Sequence, residues 1–371
     1  MVRTGASGDA GLPSTVAVVG GGVIGLSCAW RAAAAGFAVT VHDPAPGSGA
    51  SHVAAGMLAP VTEAVPVEPA VFALGLAALR RWPDFAAELV TAGADPRLRI
   101  AGTLVVALDP GDRAELDRIA EQLSRMGSVV EELSGRQVRL LEPSLGPQVC
   151  RALSVPGDLS VDNRALLSAL LVACRGAGVA FDAQRCQRLP SADVVILAAG
   201  AHSAALHPAL RHAIRPVKGE ILRLRCRPGT LAPPSRTVWS IAGGYHSYLV
   251  PRDGGRLVLG ATQSEVGFDT DVTASAVREL LTAAEQVLPA IAEYAVEEAA
   301  AGLRPGSPDN LPVIGELEPG VLAATGHHRH GILLAPVTAD AVLALLRGEA
   351  VPVEVEAATP ARLRPLARSA P

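Results

Sequence analysis

The sequence lacks an apolar run long enough to cross a membrane, and its start lacks the apolar core of a secretory signal. No stretch of about 18 residues is free of charged residues and of glycine or proline, as a membrane-spanning helix requires. The first 14 residues, MVRTGASGDAGLPS, are small and mostly polar. We therefore expect no membrane partner and a loose N-terminal tail over residues 1–13.

Cysteine and aromatic residues are scarce. Aromatic residues make up only 3% of the chain, and the five cysteines form no CxxC pair: Cys28, Cys150, Cys174, Cys186 and Cys226. An odd, dispersed set is typical of reduced thiols in the cytoplasm rather than of a disulfide framework. This pattern predicts a cytoplasmic protein.

Charge and motif content exclude several classes of function. The chain has 32 Lys and Arg against 36 Asp and Glu, and no basic run. A nucleic-acid partner is therefore not expected. We find no Walker loop, HExxH motif or nucleophile elbow, which removes the local signatures of nucleotide hydrolysis, zinc proteolysis and esterase chemistry. A small-molecule partner remains.

With 371 residues, 49% of them hydrophobic, the chain is long enough for about two domains. Helical patterns cover 68–92, where Pro83 should kink the helix or separate two, and 112–126, 162–176, 273–288 and 331–346. Strand patterns cover 102–108, 193–199, 217–226, 247–251 and 256–261. The order predicts a nucleotide-binding domain assembled from separate segments around a second domain.

A glycine turn near the start predicts dinucleotide binding. The strand Thr15–Gly20 runs into Gly20-Gly21-Gly22-Val23-Ile24-Gly25, a GxGxxG motif that opens a helix. Such a turn lets a pyrophosphate approach the backbone and the helix N-terminus. Asp43 ends the next strand, 23 residues after Gly20, where a carboxylate binds a ribose hydroxyl. An acid there disfavours NADP and leaves FAD and NAD open.

The segment 47–60, GSGASHVAAGMLAP, is small and glycine-rich. It is either a surface loop or a segment that passes close to a flat ring. Its apolar second half followed by Pro60 favours the second interpretation.

Two later stretches contain candidate binding residues. In AGLRPGSPDNLPVIG, Arg304 stands among apolar residues and prolines, and its planar fork matches a carboxylate. It is either a surface arginine or a buried anion clamp, and this setting favours the clamp. In a strand, Tyr245, His246 and Tyr248 are either packing residues or part of a site.

Three histidines surround Arg329 in TGHHRHGILLAP. Zinc sites normally show spaced pairs of ligands, and His327, His328 and His330 are adjacent with no Cys or carboxylate beside them. We therefore predict no metal. The interpretation we favour is that N–H groups at Gly331 and the following helix start stabilise negative charge on a reduced flavin ring.

Taken together, these motifs resemble the glycine oxidases of the thiamine pathway, within the D-amino-acid oxidase superfamily of flavoproteins. The resemblance runs from about residue 16 to 346 and is most specific in YLVPRDGGRLVLGAT, AGLRPGSPDNLPVIG and TGHHRHGILLAP. This chain differs at Gln263, at His328 and at His330, where relatives often have an apolar residue, an aromatic and an asparagine.

The resemblance implies a Rossmann-type FAD-binding domain joined to a substrate domain built on a large antiparallel sheet. The FAD-binding domain is expected from residues 14–64, 150–205 and 303–350, and the substrate domain from 65–149 and 206–302. The tails are expected at 1–13 and 352–371. Relatives often form homotetramers, so a homo-oligomer is also implied.

By the same resemblance, Arg304 binds the substrate carboxylate with Tyr248, and His246 and Arg329 lie near the substrate. The residues implied in FAD binding are Gly20, Gly22, Val23, Ile24, Gly25, Asp43, Ser51, Ala54, Ala55, Gly56, Met57, Leu58, Gly200, Arg329, His330, Gly331, Ile332 and Leu333. The FAD should be noncovalent, because no cysteine lies in 302–309, where sarcosine oxidases attach it.

The implied reaction is oxidation of glycine, and of sarcosine or small D-amino acids, by hydride transfer to flavin N5. Oxygen then yields hydrogen peroxide, and the imine (iminoacetate) yields glyoxylate and ammonia or passes on to thiazole formation. One alternative is an oxidase or dehydrogenase of another D-amino or N-methyl amino acid in a specialised pathway. Two others are a flavin-binding partner protein and an NAD-dependent dehydrogenase, which would be colourless.

Overall fold

The computed structural model describes residues 14–65, 67–242 and 245–363. The predicted tail at 1–13 lies outside these ranges, as do residues 364–371 of the tail predicted at 352–371.

The strands of the described residues are, in chain order, β1 (Thr15–Val19), β2 (Ala38–His42), β3 (Met57–Leu58), β4 (Leu98–Arg99), β5 (Thr103–Ala107), β6 (Glu131–Ser134), β7 (Arg151–Val155), β8 (Leu159–Val161), β9 (Ala180–Asp182), β10 (Val194–Leu197), β11 (Arg215–Arg225), β12 (Thr237–Ala242), β13 (Tyr245–Arg252), β14 (Arg256–Gly260), β15 (Ala295–Gly306), β16 (Val313–Glu318) and β17 (Val321–Thr325). The helices are α1 (Val23–Ala34), α2 (Ala50–Val53), α3 (Pro69–Thr91), α4 (Pro110–Arg125), α5 (Gly135–Leu141), α6 (Asn163–Gly176), α7 (Ser203–Leu206), α8 (Ala274–Val287) and α9 (Ala335–Leu346). None of these helices is both long and apolar enough to cross a membrane.

The first layer is a six-stranded sheet in the order β16-β17-β10-β1-β2-β9. Its strands pair in parallel except β16, which is antiparallel to β17. Strand β1 is apolar along its length because both of its faces are covered. Val16 and Val18 face the core under α1, α6 and α9, whereas Ala17 and Val19 face a second apolar cluster.

The second layer is an eight-stranded sheet in the order β15-β11-β14-β13-β12-β5-β7-β6. Its pairs are antiparallel except for β12 and β5, which are parallel. A Rossmann-type sheet joined to a large, mostly antiparallel sheet confirms the predicted fold class.

Of the two outcomes predicted at Pro83, the structure excludes a division into two helices, since the proline lies inside the one helix α3. The proline is on the exposed face, where the carbonyl that loses its N–H partner can be solvated. The neighbouring Trp82 and Phe85 are buried, and their rings meet edge to face at 5.5 Å. Burial of these two rings holds the helix together across the proline.

Packing changes the predicted domain boundaries at two places. Strand β7 belongs to the eight-stranded sheet, although the predicted FAD-binding segment 150–205 contains it. Helix α3 packs on the core of the parallel layer, although the predicted substrate segment 65–149 contains it. The helix also reaches the eight-stranded sheet, since its Phe72 and Leu76 pack against the cluster that contains Val105.

The C-terminal region also departs from the prediction. Residues 353–358 and 360–363 form short 3₁₀ turns, and Val355 and Ala358 are fully buried in the main core. The Arg362 guanidinium pairs with the Asp309 carboxylate at 2.9 Å. This part of the tail is therefore packed rather than loose, since it covers apolar surface of α3 and β16.

Candidate active site

One large cavity lies where the carboxyl ends of the parallel strands meet a face of the eight-stranded sheet. Its volume is about 1130 Å³. Gly20 after β1, Asp43 after β2 and Gly200 after β10 line one end. Gly219 of β11 and Tyr248 of β13 line the other. The carboxyl edge of an open parallel sheet is where α/β folds bind their ligands.

The glycine turn is closely packed, and a side chain at Gly20, Gly21 or Gly25 would clash. Gly20 has φ +109°, and a Cβ there would stand 2.4 Å from the Ala198 carbonyl oxygen. A Cβ on Gly25 would stand 1.9 Å from the Gly20 carbonyl oxygen, so Gly25 lets α1 close onto β1 rather than line the cavity. Gly22 begins α1 without a side-chain cap and lines the cavity, as do Val23 and Ile24. This helix end therefore suits an anionic group.

The Asp43 carboxylate lies beside this turn. Its Oδ2 accepts a hydrogen bond from the Gly21 N–H at 2.7 Å, and its Oδ1 accepts one from the Ala45 N–H at 2.7 Å. Each carboxylate oxygen has two lone pairs, so the group can still accept a hydroxyl. The position fits the predicted contact to a ribose.

The segment after α2 forms the middle of the cavity wall. Ala54, Ala55, Gly56 and Met57 line it, whereas Leu58 is fully buried in the core behind. Ser51 Oγ accepts a hydrogen bond from the Val23 N–H at 3.1 Å, which ties the segment to the start of α1.

Arg304 crosses the floor of the cavity over a glycine. A Cβ on Gly219 would stand 2.3 Å from Arg304 Nη1, so the guanidinium occupies the place of a side chain on the neighbouring strand. Nη1 donates to the carbonyls of Lys218 (3.3 Å) and Thr262 (3.2 Å). Within the described ranges, no carboxylate forms an ion pair with this guanidinium. Burial lowers the pKa of Arg304.

Tyr248 lies beside Arg304 for a similar reason. It is opposite Gly260 in the sheet, and a Cβ on Gly260 would stand 2.4 Å from Tyr248 Oη. Burial raises the pKa of the phenol, and the charge of Arg304 opposes that shift. The phenol is therefore a neutral donor at physiological pH.

Arg329 and His246 also line the cavity, and each already has a partner. Arg329 Nη2 donates to Glu63 Oε1 at 2.8 Å, and its guanidinium lies 5.5 Å from the centre of the Trp239 ring. His246 Nε2 is 3.1 Å from Glu115 Oε1. The charge of Arg329 is thus neutralised, unlike that of Arg304.

Two of the three predicted histidines, His327 and His328, line the cavity, and His330 does not. His327 Nε2 is 3.0 Å from Thr338 Oγ1, and burial lowers its pKa to about 3. His328 lines the cavity, where burial and then Arg304 lower its pKa to about 3. His330 is buried outside the cavity wall, with Nδ1 3.8 Å from Glu63 Oε2.

The turn after the histidines corrects the predicted helix start. Helix α9 begins at Ala335, four residues after Gly331. Gly331 and Ile332 line the cavity, whereas Leu333 is buried in the core, where its carbonyl accepts from Trp82 Nε1 at 2.9 Å. Any N–H group offered to a ligand therefore comes from the turn itself.

The sequence interpretation missed Trp239, Glu63, Gly219 and Gly260. Both glycines stand inside strand patterns, and such a glycine often marks a close approach of another group. That signal could have found them. Trp239 and Glu63 carry no local signal, since their place in the wall depends on strand order.

The cavity fits a dinucleotide. Gly20 and Gly22 line the cavity at the start of α1, the helix end and Asp43 suit the phosphates and a ribose, and the 54–57 segment lines the cavity further along. The sequence profile of the family described as FAD dependent oxidoreductase matches residues 15–345. The chain belongs to this family.

Relatives narrow the type of this FAD-dependent oxidoreductase. A protein of Rhizobium etli named as a thiamine biosynthesis oxidoreductase, ThiO, is 36% identical over 335 residues, covering 88% of this chain and 94% of its own. The bifunctional protein ThiO/ThiG of Synechocystis is 32% identical over 372 residues and 94% of this chain. Because that match covers 54% of the Synechocystis protein, the chain spans about half the length of this bifunctional relative.

A solved structure agrees with these relatives. Glycine oxidase from Geobacillus kaustophilus superposes with a TM-score of 0.83 at 30% identity, covering 93% of this chain and 97% of its own. The protein is thus an FAD-dependent oxidoreductase of the glycine oxidase and ThiO type. In this cavity, the residues that would hold FAD are those of the glycine turn, Asp43 and the 54–57 segment.

Proposed function

We propose that this enzyme is an oxidase of small amino acids, with glycine as its substrate and sarcosine or small D-amino acids as further candidates. The observation that carries the proposal is Arg304. Its buried guanidinium has no carboxylate partner among the described residues, and the Tyr248 phenol lies beside it. A buried charge without a counter-ion is costly, so a substrate carboxylate that binds the guanidinium is strongly favoured.

The balance of charges supports a substrate with one carboxylate. Glu63 neutralises Arg329, and His328 is uncharged at neutral pH because its pKa is about 3. One positive charge, that of Arg304, is left at this end of the cavity. A dicarboxylate would leave its second charge without a partner.

In the proposed reaction, Arg304 and Tyr248 hold the carboxylate and so orient the α-carbon. FAD, when bound, would supply the acceptor, at its N5, for a hydride from that carbon, and the electrons would pass on to oxygen to give hydrogen peroxide. The substrate amine enters the step neutral, since its lone pair forms the carbon–nitrogen double bond. Because the carbon-bound hydrogen leaves as hydride, no side-chain base is needed to remove it as a proton. Water then converts the imine to glyoxylate and ammonia.

FAD is held without a covalent bond in this proposal. Cys186 lines the cavity, but near Asp43 and the nucleotide end. Cys28 and Cys174 are buried in the core, and the segment 302–309 beside Arg304 contains no cysteine.

A specific feature favours a second candidate, an oxidase or dehydrogenase of another D-amino or N-methyl amino acid. Beyond Arg304 the wall continues through polar residues, Tyr245, Gln263 and Thr270. This extension offers room and hydrogen-bond partners for a substituent on nitrogen or on the α-carbon.

The deciding experiment measures peroxide release from the FAD-loaded enzyme with glycine, sarcosine, D-alanine and D-proline. We expect the highest kcat/KM with glycine. A higher value for a bulkier amine would favour the second candidate. Turnover only with an artificial acceptor would identify a dehydrogenase and refute the oxidase.

A further inference from the structure

Two arginines of the eight-stranded sheet, Arg252 (buried) and Arg223 (partly buried), hold the backbone of the segment 51–56 from behind. Arg252 of β13 is 7% exposed. Its Nη2 donates to the Ala55 carbonyl, and its Nη1 donates to the Pro251 carbonyl at 3.0 Å. Arg223 of β11 donates from Nη2 to the His52 carbonyl at 3.2 Å.

The peptide between Ala55 and Gly56 is fixed on the side away from the cavity. The next carbonyl, that of Gly56, accepts from the Val161 N–H at 2.8 Å. Gly56 has φ +73°, and a Cβ there would stand 2.1 Å from the Val161 carbonyl oxygen. These contacts hold the backbone of the segment in one arrangement, and at position 56 only glycine fits that arrangement.

This arrangement directs an N–H group into the cavity. In a trans peptide, the carbonyl and the N–H of the same unit point in opposite directions. Because Arg252 binds the Ala55 carbonyl, the Gly56 N–H points away from the arginine. Ala55 and Gly56 both line the cavity. Within the described part of the chain, the Gly56 N–H has no hydrogen-bond acceptor.

We propose that Arg252 is a positioning residue for FAD: it fixes and polarises the Ala55–Gly56 peptide so that the Gly56 N–H donates to the flavin ring and stabilises its reduced form. A cation on a peptide carbonyl makes the N–H of that peptide a better donor. Such preorganised dipoles stabilise charge in a cavity that excludes water. This inference depends on FAD binding and not on which amine is oxidised.

In the part of the chain that the structure describes, Arg252 has one ion-pair contact, and it is a long one. Its nearest carboxylate oxygen, Asp162 Oδ2, is 3.8 Å from Nε, and Nε has no hydrogen-bond partner among the described residues. Asp162 itself caps α6 through the N–H groups of Arg164 and Ala165. Burial lowers the pKa of Arg252 to about 10, so the guanidinium remains charged at neutral pH. A neutral donor could satisfy the Ala55 carbonyl at lower desolvation cost, which argues that the charge has a function.

The test is the two-electron reduction potential of bound FAD in Arg252→Lys, Arg252→Gln and Arg252→Met. Lysine keeps the charge and a donor, glutamine keeps only a donor, and methionine keeps neither. We expect lysine to remain near the wild-type potential. Loss of the charge should weaken binding of reduced FAD relative to oxidised FAD about tenfold, which lowers the potential by about 30 mV. Methionine should lower it at least as much as glutamine.

Arg223→Gln is the matched control. Arg223 is partly buried and also binds a carbonyl of this segment, but the N–H of that peptide, on Val53, is already bonded to the Gly49 carbonyl at 3.3 Å. We expect the potential of this variant to match the wild type. Arg252→Gln keeps a hydrogen-bond donor and should retain FAD even if the methionine variant does not. An unchanged reduction potential in Arg252→Gln would overturn the proposal. So would an equal fall in Arg223→Gln.

Discussion

Arg304→Ala is the sharpest test of the substrate site. The variant removes a buried guanidinium that has no carboxylate partner in the described ranges, and it leaves the two carbonyls bonded by Nη1 to be solvated. Hydrogen bonds to a charged group contribute about 1.5–3 kcal/mol. Loss of about 3 kcal/mol corresponds to a fall of roughly one hundredfold in kcat/KM. We expect most of this fall as a rise in KM for glycine, at least tenfold.

The assay is steady-state peroxide release on protein whose FAD content has been matched by absorbance. Arg304→Lys keeps the charge but loses the planar fork, so its KM should lie between those of the wild type and the alanine variant. Arg256→Ala removes an exposed arginine from the same sheet, where it pairs with Glu297, and should leave KM unchanged. An unchanged KM in Arg304→Ala would remove this residue from the substrate site.

Four further outcomes are expected. Gly219→Ala places a Cβ 2.3 Å from the Arg304 guanidinium, so KM for glycine should rise about tenfold without any change of charge, and a wild-type KM would contradict the proposed geometry. Asp43→Ala should weaken FAD binding about tenfold in a fluorescence titration of the apoprotein with the fold intact, whereas full affinity would rule out a ribose contact. His327 and His328 have pKa values of about 3, below the ordinary 6.5, so the unfolded chain binds protons first as the pH falls. In urea unfolding, the contribution of these histidines to the free energy of unfolding should be complete above pH 6.5 and should decline toward pH 3 by about 1.4 kcal/mol per histidine per pH unit. His327→Gln should remove the contribution of one histidine from this slope. Acid precipitation should release yellow flavin into the supernatant, and colour kept in the pellet would refute noncovalent binding.

Motifs set by local backbone geometry could be predicted from the sequence. The glycine turn, Asp43 at the end of the next strand and the strand–helix–strand order follow from spacing and from glycine's access to positive φ, and the structure has them where expected. Arg304 stood out because an arginine among prolines and apolar residues has few ways to be solvated. These features depend on residues close together in the chain.

Other features required contacts that are distant in the chain. The space for Arg304 is made by Gly219, 85 residues earlier, and the partner of Arg329 is Glu63, 266 residues earlier. The burial of Val355 and Ala358 depends on apolar surface that only the assembled core presents. Contacts distant in the chain also decide which of two adjacent residues lines the cavity. Three residues next to lining residues lie behind the cavity wall: Leu58, His330 and Leu333.

The sequence by itself predicted a dinucleotide site after the first strand, and its motifs indicated the family of flavoproteins to which the chain belongs. Only the tertiary structure decided which charges are paired and which backbone groups face the cavity. Ion pairs and free N–H groups are set by strand order and register, and these bring together residues that no local pattern connects. Arg252 illustrates the difference: in the sequence it is an arginine before a turn, and in the fold it is a buried cation behind the wall of the cofactor site.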